Sequence, residues 1–153
     1  MYSRMEEAVL AELTYPATRH DLAPLVDLSA RDERARLSRS ALRAFFNIME
    51  RWSIRDADAR RLLGGIASST FYDYRRHPDR VLDQDRLTRI SYLVGIFKAL
   101  HILHGADLAD RWVAMPNRNR IFGGRSPLDY MLQGGAPAMQ IVRRLLDARR
   151  GGA

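Results

Sequence analysis

The stretch Asp56-Ala57-Asp58-Ala59-Arg60-Arg61-Leu62-Leu63-Gly64-Gly65-Ile66-Ala67-Ser68-Ser69-Thr70-Phe71-Tyr72-Asp73-Tyr74-Arg75-Arg76 decides the fold. Ala59, Leu62 and Leu63 share one helical face, which predicts a short helix from about Asp56 to Leu63. Gly64-Gly65 is its stop, because glycine takes left-handed backbone at a helix C-terminus without a steric penalty. A second helix starts at Ser68 or Ser69 and runs to about Arg76. His77-Pro78 ends it, since the residue before a proline is pushed out of helical backbone. Helix, glycine turn, helix is the layout of a helix-turn-helix unit.

Within the second helix Phe71 and Tyr74 are three apart and should pack inward. Ser69, Tyr72, Asp73 and Arg76 then face solvent, with Arg75 near the edge. Small polar residues at a helix start followed by arginines suit entry into a DNA major groove. Hydroxyls reach phosphates or base edges, and arginine pairs with guanine. The candidate DNA contacts are Ser68, Ser69, Thr70, Tyr72, Arg75 and Arg76. Two residues argue the other way: Asp73 opposes phosphate, and Tyr72 is unusual in a groove. A helix-turn-helix kept only as scaffold is the competing reading.

Upstream, Leu42, Phe45, Phe46, Ile48, Met49 and Trp52 form a dense apolar helical face, with Ser38 or Ser40 as the cap. Residues 1–37 read as an N-terminal arm. In it Met5, Val9 and Leu13 make one short helical pattern, Pro16 and Pro24 interrupt, and Arg31 to Arg36 is a mixed charge run. The arm is either a plain extension or a docking arm for a second subunit.

Downstream, a long helix is expected from about Asp85 to His104. It carries one stripe of Leu87, Ile90, Val94, Phe97, His101 and His104 and a second of Leu93, Ile96, Leu100 and Leu103. A helix exposed on one side needs a single stripe. Two imply burial on both sides, in the core or against another chain, and a homodimer packed through Leu93, Ile96 and Leu100 is the expectation. A short helix spans about Leu108 to Ala114, and Asn117 to Arg125 is a loop. Ser126-Pro127-Leu128-Asp129 starts a further helix, with a serine cap, proline in the first turn and an acid three residues on. That helix stops at Gly134-Gly135. A last one, about Pro137 to Arg149, buries Met139, Val142, Leu145 and Leu146 with Ile141 beside them. No segment alternates as a strand does, so the expected class is all-α. The expected division is an arm at 1–37, a helix-turn-helix domain with its long connecting helix at 38–105, and a small helical domain at 106–153.

Composition narrows the function. The chain has 153 residues, 46% of them hydrophobic, which is enough for a core. Its richest apolar stretch, Tyr92 to Leu103, contains Lys98 and is about a dozen residues, against roughly 20 for a bilayer span. The N-terminus lacks the apolar core of a secretory signal, so the cytoplasm is the expected compartment. With no cysteine there is no disulfide, thiolate zinc site or cysteine nucleophile. Net charge is +7, and Lys98 is the sole lysine. Residues 1–37 carry net −2, residues 38–105 net +5 and residues 106–153 net +4, so a polyanion would be met by the last two thirds.

Other motifs favour plain readings. His101 and His104 are three apart, but two ligands make a poor zinc site, and no metal is expected. Gly123-Gly124-Arg125-Ser126 before a helix start could cradle phosphate, yet a tight loop into a capped helix explains it fully. No Gly-x-Ser-x-Gly, His-Glu-x-x-His or P-loop is present, so no catalytic residue and no cofactor are expected.

From about Leu37 to Ala153 the chain resembles the Xre–MbcA–ParS antitoxins. The Xre-like helix-turn-helix is matched by Leu42-Arg43-Ala44-Phe45-Phe46, Trp52, Leu62-Leu63-Gly64 and Ser69-Thr70-Phe71-Tyr72. Asp85-Arg86-Leu87-Thr88-Arg89-Ile90-Ser91-Tyr92 is similar to the family's long connecting helix. The toxin-binding half is the most specific part: Trp112, Pro116-Asn117, Phe122-Gly123-Gly124, Ser126-Pro127-Leu128-Asp129, Met131 and Gly134. The resemblance implies an antitoxin that binds a RES-domain toxin, an enzyme that consumes NAD or transfers ADP-ribose from it. It implies that the C-terminal region blocks the toxin's NAD cleft and that antitoxin or complex binds the operon's promoter. The implied toxin-binding residues are Trp112, Asn117, Arg118, Arg143, Arg144, Arg149, Arg150, Gly151, Gly152 and Ala153. The last five lie nearest the toxin's active site, although their composition is less apolar than the family pattern. The cationic end suits carboxylates or a phosphate-binding pocket. Implied assemblies are a homodimer or a higher toxin–antitoxin hetero-oligomer. A DNA-binding regulator without a toxin is the second reading, and an enzyme the third.

Overall fold

The computed structural model describes residues 26–151. The expected arm up to residue 25, with its short helix at Met5 to Leu13, and the last two toxin-binding positions, Gly152 and Ala153, lie outside the described residues.

Six α-helices and no strand make up the described chain. The first, α1, spans Arg31–Arg51. It begins well before the serines expected to cap it. Asp32 and Glu33 occupy its first turn and Arg51 its last, which suits the helix dipole at both ends. Arg36 pairs with Glu33 at 2.7 Å, so the mixed charge run is helical rather than part of an arm. Ser38 is fully buried. Its hydroxyl donates to the Arg34 carbonyl at 2.5 Å and accepts from the Leu82 amide at 2.9 Å. It is a core joint, not a cap.

The helix-turn-helix follows as read. Helix α2 spans Asp56–Leu62 and α3 spans Ser68–Arg76. Gly64 and Gly65 between them have φ of 99° and 79°, which only glycine adopts without strain. The Gly64 amide bonds to the Arg61 carbonyl and the Gly65 amide to the Arg60 carbonyl, and Arg60 Nε donates to the Ile66 carbonyl at 2.9 Å. The turn is thus closed by α2's own last residues. Helix α3 starts at Ser68, as its pattern predicts. Its N-cap is Ala67, and no side chain caps it.

Helix α4, Gln84–Leu103, is capped by Asp83, whose carboxylate accepts from the Arg86 amide. It packs against α1 on one side and α6 on the other, which accounts for its two stripes. Leu93, Ile96 and Leu100 are 0% exposed within one chain. A homodimer through them is therefore overturned, because their own chain already covers them. Helix α5, Ala106–Arg111, leads into a 3-10 turn at Trp112–Ala114. Helix α6 spans Pro127–Arg150 but is two arms, broken at Gly135 with φ 66° and ψ −148°. Ser126 caps it by accepting from the Asp129 amide at 3.1 Å. Leu37, Phe45, Phe71, Leu87, Ile90 and Phe122 stand among the fully buried side chains of one continuous core. No described helix is long and apolar enough to cross a membrane.

Candidate functional site

Helix α3 presents Ser68, Ser69, Tyr72, Arg75 and Arg76 as exposed residues, with Thr70 half-buried. Phe71 and Tyr74 point inward, at 0% and 6% exposure, as their spacing requires. Tyr74 is held by Arg86, which donates to its hydroxyl.

The outward side chains divide into two groups. Arg75 and Tyr72 fold back onto the start of α2. Arg75 Nη2 donates to Asp56 Oδ1 at 2.9 Å, and Tyr72 Oη donates to Asp56 Oδ2 at 3.1 Å. The Arg75 guanidinium also lies 4.9 Å from the Phe71 ring centre and 5.3 Å from that of Phe46. Cation–π contacts of this length hold an arginine flat against its own protein. The Arg75 bond, joined by that of Tyr72, keeps the Asp56 carboxyl below its ordinary pKa. Both residues thus brace the angle between α2 and α3.

Arg76 is exposed and pairs with no carboxylate among the described residues. Beside it, Asp73 is bound twice by an arginine that the sequence pattern did not single out. Arg80 Nε donates to Asp73 Oδ2 at 2.9 Å and Nη2 to Oδ1 at 3.2 Å. Arg80 comes from the turn after α3, where its amide bonds to the His77 carbonyl. This bidentate bond lowers the Asp73 pKa, with further help from the charges of His77 and Arg76. The carboxylate expected to repel phosphate is thereby neutralised by its own neighbour.

The C-terminal half is organised by Trp112 and Phe122. Trp112 is 7% exposed and meets Phe122 edge-on at 6.0 Å, and Phe122 in turn meets Tyr130 at 5.4 Å. These rings pin the loop between residues 115 and 126 to the start of α6. Asn117 and Asn119 shape that loop by accepting from the amides two residues on, at 2.9 and 3.2 Å. Gly123 and Gly124 take positive φ there, and Arg125 donates to the Phe122 carbonyl and to Gln133. The glycine pair thus closes a turn into a capped helix.

The expected toxin-binding residues fall into distinct environments. Trp112 and Asn117 build the fold from within. Arg118 stands exposed on the loop. Arg143 is 5% exposed and packed against α4 at Gly95, with Asp147 beside its Nε at 3.4 Å. Arg144, Arg149, Arg150 and Gly151 are exposed, and Arg150 lies 3.7 Å from Asp147. Ile141, expected beside the core, is 41% exposed. Pro137, Ile141, Arg144 and Ala148 are all exposed at helical spacing, so the second arm of α6 shows solvent a mostly apolar stripe with one cation.

His101 is structural. His101 Nδ1 bonds to the Phe97 carbonyl at 2.9 Å. Its Nε2 faces Asp110 Oδ1 at 3.1 Å but out of line for a good hydrogen bond, while Arg51 holds Asp110 Oδ2 at 2.9 Å. Together they tie α1, α4 and α5. No group of three His, Cys, Asp or Glu residues among the described residues could hold a metal.

Two family models match the chain in order. Residues 33–95 match the antitoxin Xre-like helix-turn-helix domain, and residues 98–152 match the antitoxin Xre/MbcA/ParS C-terminal toxin-binding domain. The two matched regions meet inside α4. The chain is also 41% identical over 112 residues to the uncharacterized protein y4oB of Sinorhizobium fredii (strain NBRC 101917 / NGR234), covering 72% of this chain and 84% of that protein. No solved structure matches it.

Proposed function

This chain belongs to the Xre/MbcA/ParS antitoxin family, and from that membership we propose that it silences a RES-domain toxin by covering the toxin's NAD-binding cleft with its C-terminal half. The observation that carries the reading is the exposed stripe on the second arm of α6. Ile141 stands open to solvent on a helix whose opposite face is fully packed, and Arg144 and Arg149 flank it as exposed cations. An apolar centre edged by arginine is the composition of a protein–protein contact. The protein works by binding and not by catalysis, and it acts in the cytoplasm.

We further propose that α3 binds the promoter of the antitoxin's own operon. Support comes from the exposed Ser68, Ser69 and Arg76 and from the net positive charge of residues 38–105. The toxin-free regulator is the second reading, since the same helix supports it.

A pull-down of the tagged chain from its native host, followed by mass spectrometry, tests the order of the two. A stoichiometric RES-domain partner supports the antitoxin. Recovery of DNA without any protein partner would promote the regulator.

A further inference from the structure

Asp73 on the outer side of α3 and Arg80 from the turn beyond it are bound to each other through one edge of the guanidinium. We propose that this pair is a sequence-reading element. Asp73 is a positioning residue that aims the Arg80 guanidinium, and Arg80 pairs with the acceptor edge of a guanine in duplex DNA. The inference rests on the nucleic-acid reading of α3 given above.

Three observations lead to it. Asp73 follows Ser69 by four residues and precedes Arg76 by three, so it shares their exposed face. Arg80 arrives from the turn beyond the helix and donates through Nε and Nη2, at 2.9 and 3.2 Å. Those two bonds fix the plane of the guanidinium. They leave Nη1 and the second hydrogen of Nη2 on its outer end, and two adjacent donors match the N7 and O6 acceptors of guanine.

Charge decides between base and backbone as the target. An ion pair of zero net charge gives no net attraction for phosphate, and a phosphate approaching Arg80 would also meet the Asp73 carboxylate. Such a pair adds little to counterion release on binding. What it offers is donors in a fixed direction, which is what discrimination among bases needs. Arg75 is different. Its guanidinium is spread over Phe46, Phe71 and Tyr72 and bound to Asp56, so it faces its own fold.

The test uses the full chain and two labelled duplexes of equal length: one from the DNA immediately upstream of the protein's own coding sequence, one with that sequence shuffled. Binding is followed by fluorescence anisotropy over a salt series for wild type, Arg80→Ala and Asp73→Asn, with folding of each checked by thermal melting. The expected result is that Arg80→Ala lowers the preference for the upstream duplex on the order of 5- to 100-fold. Because Arg80→Ala also leaves the Asp73 carboxylate unpaired, it should weaken the shuffled duplex by less than the upstream one, and the charge-neutral double variant Asp73→Asn/Arg80→Ala should leave affinity and salt slope on the shuffled duplex nearly unchanged. Asp73→Asn should lower the preference too, although it removes a negative charge. The inference is overturned if Asp73→Asn tightens both duplexes equally, for then Asp73 only repels. It is also overturned if Arg80→Ala weakens both equally and cuts the salt slope by about one, the behaviour of a phosphate contact. A wild type that discriminates while both variants match it sinks the inference alone. A wild type that binds neither duplex removes the nucleic-acid reading and this one with it.

Discussion

Arg143 occupies the space that a side chain on Gly95 would fill: a Cβ built there would lie 2.6 Å from Arg143 Nε and 2.7 Å from Cζ. Gly95 sits in the middle of α4, where glycine normally weakens a helix. Its lack of a side chain lets a buried arginine from α6 lie flat on the helix joining the two halves of the molecule.

Gly95→Ala is therefore expected to destabilise the fold despite alanine's better helix propensity. Overpacking of this kind costs roughly 1–3 kcal/mol. Thermal melting checks it, and the loss should shrink in an Arg143→Met background, where the clash can relax. A Gly95→Ala variant that melts at or above wild type would show that Arg143 moves aside freely.

Ser38 yields a second stability prediction. Ser38→Ala removes the acceptor of the buried Leu82 amide. An unsatisfied buried donor costs about 1–3 kcal/mol. Denaturant unfolding should show that loss, whereas Ser40→Ala, two residues on and less buried, should be close to neutral.

Ser38 and Arg143 also mark where sequence reading stopped. The glycine turn at Gly64-Gly65, the Ser126 cap and the break at Gly134-Gly135 were legible because each is local chemistry. A cap, a stop and a left-handed residue are written in neighbouring positions. Arg143 follows Met139 by four and precedes Leu146 by three, so its helical position already placed it on the buried face, but its charge argued for solvent. Ser38 looked like a cap because the charged residues before it suggested irregular chain. The ties from Asp56 to Arg75 and from Asp73 to Arg80 cross turns. No spacing rule reports them, since the angle of the turn decides which side chains meet. The site on α3 was thus legible as a face and not as a set of paired groups.

Those pairs predict a pH response. The bond from Arg75, with Tyr72, lowers the Asp56 pKa, and the bond from Arg80 lowers that of Asp73. For a carboxyl lowered on folding, the stabilisation is present above its unfolded value and is lost as pH falls through the folded one. Both carboxylates are only half-buried and screened by solvent, so the effect on global stability is small. The local effect is measurable. Carboxyl carbon shifts in an NMR titration should show both groups ionising below free aspartate. Arg75→Ala should return Asp56, and Arg80→Ala should return Asp73, toward the ordinary value. Insensitivity of either acid to its own arginine would mean that the pair does not persist in solution.

The last prediction concerns the exposed stripe. If Ile141 and Arg144 face the toxin, Ile141→Asp or Arg144→Glu should weaken the complex without unfolding the antitoxin, because neither side chain is part of the packed core. Interface residues of this type commonly cost more than about 1–2 kcal/mol on substitution, about tenfold or more in affinity. Arg149 and Arg150 can be tested apart from the stripe by deleting residues 149–153, which leaves the buried Leu146 turn in place. Co-expression with the toxin and growth as readout compares the three. Loss of protection on deletion alone places the inhibitory contact at the chain's end. Loss with Ile141→Asp alone places it on the helix and leaves Arg149 and Arg150 dispensable for inhibition. Full protection by all three variants, each folded, would remove the second arm of α6 from the toxin contact altogether.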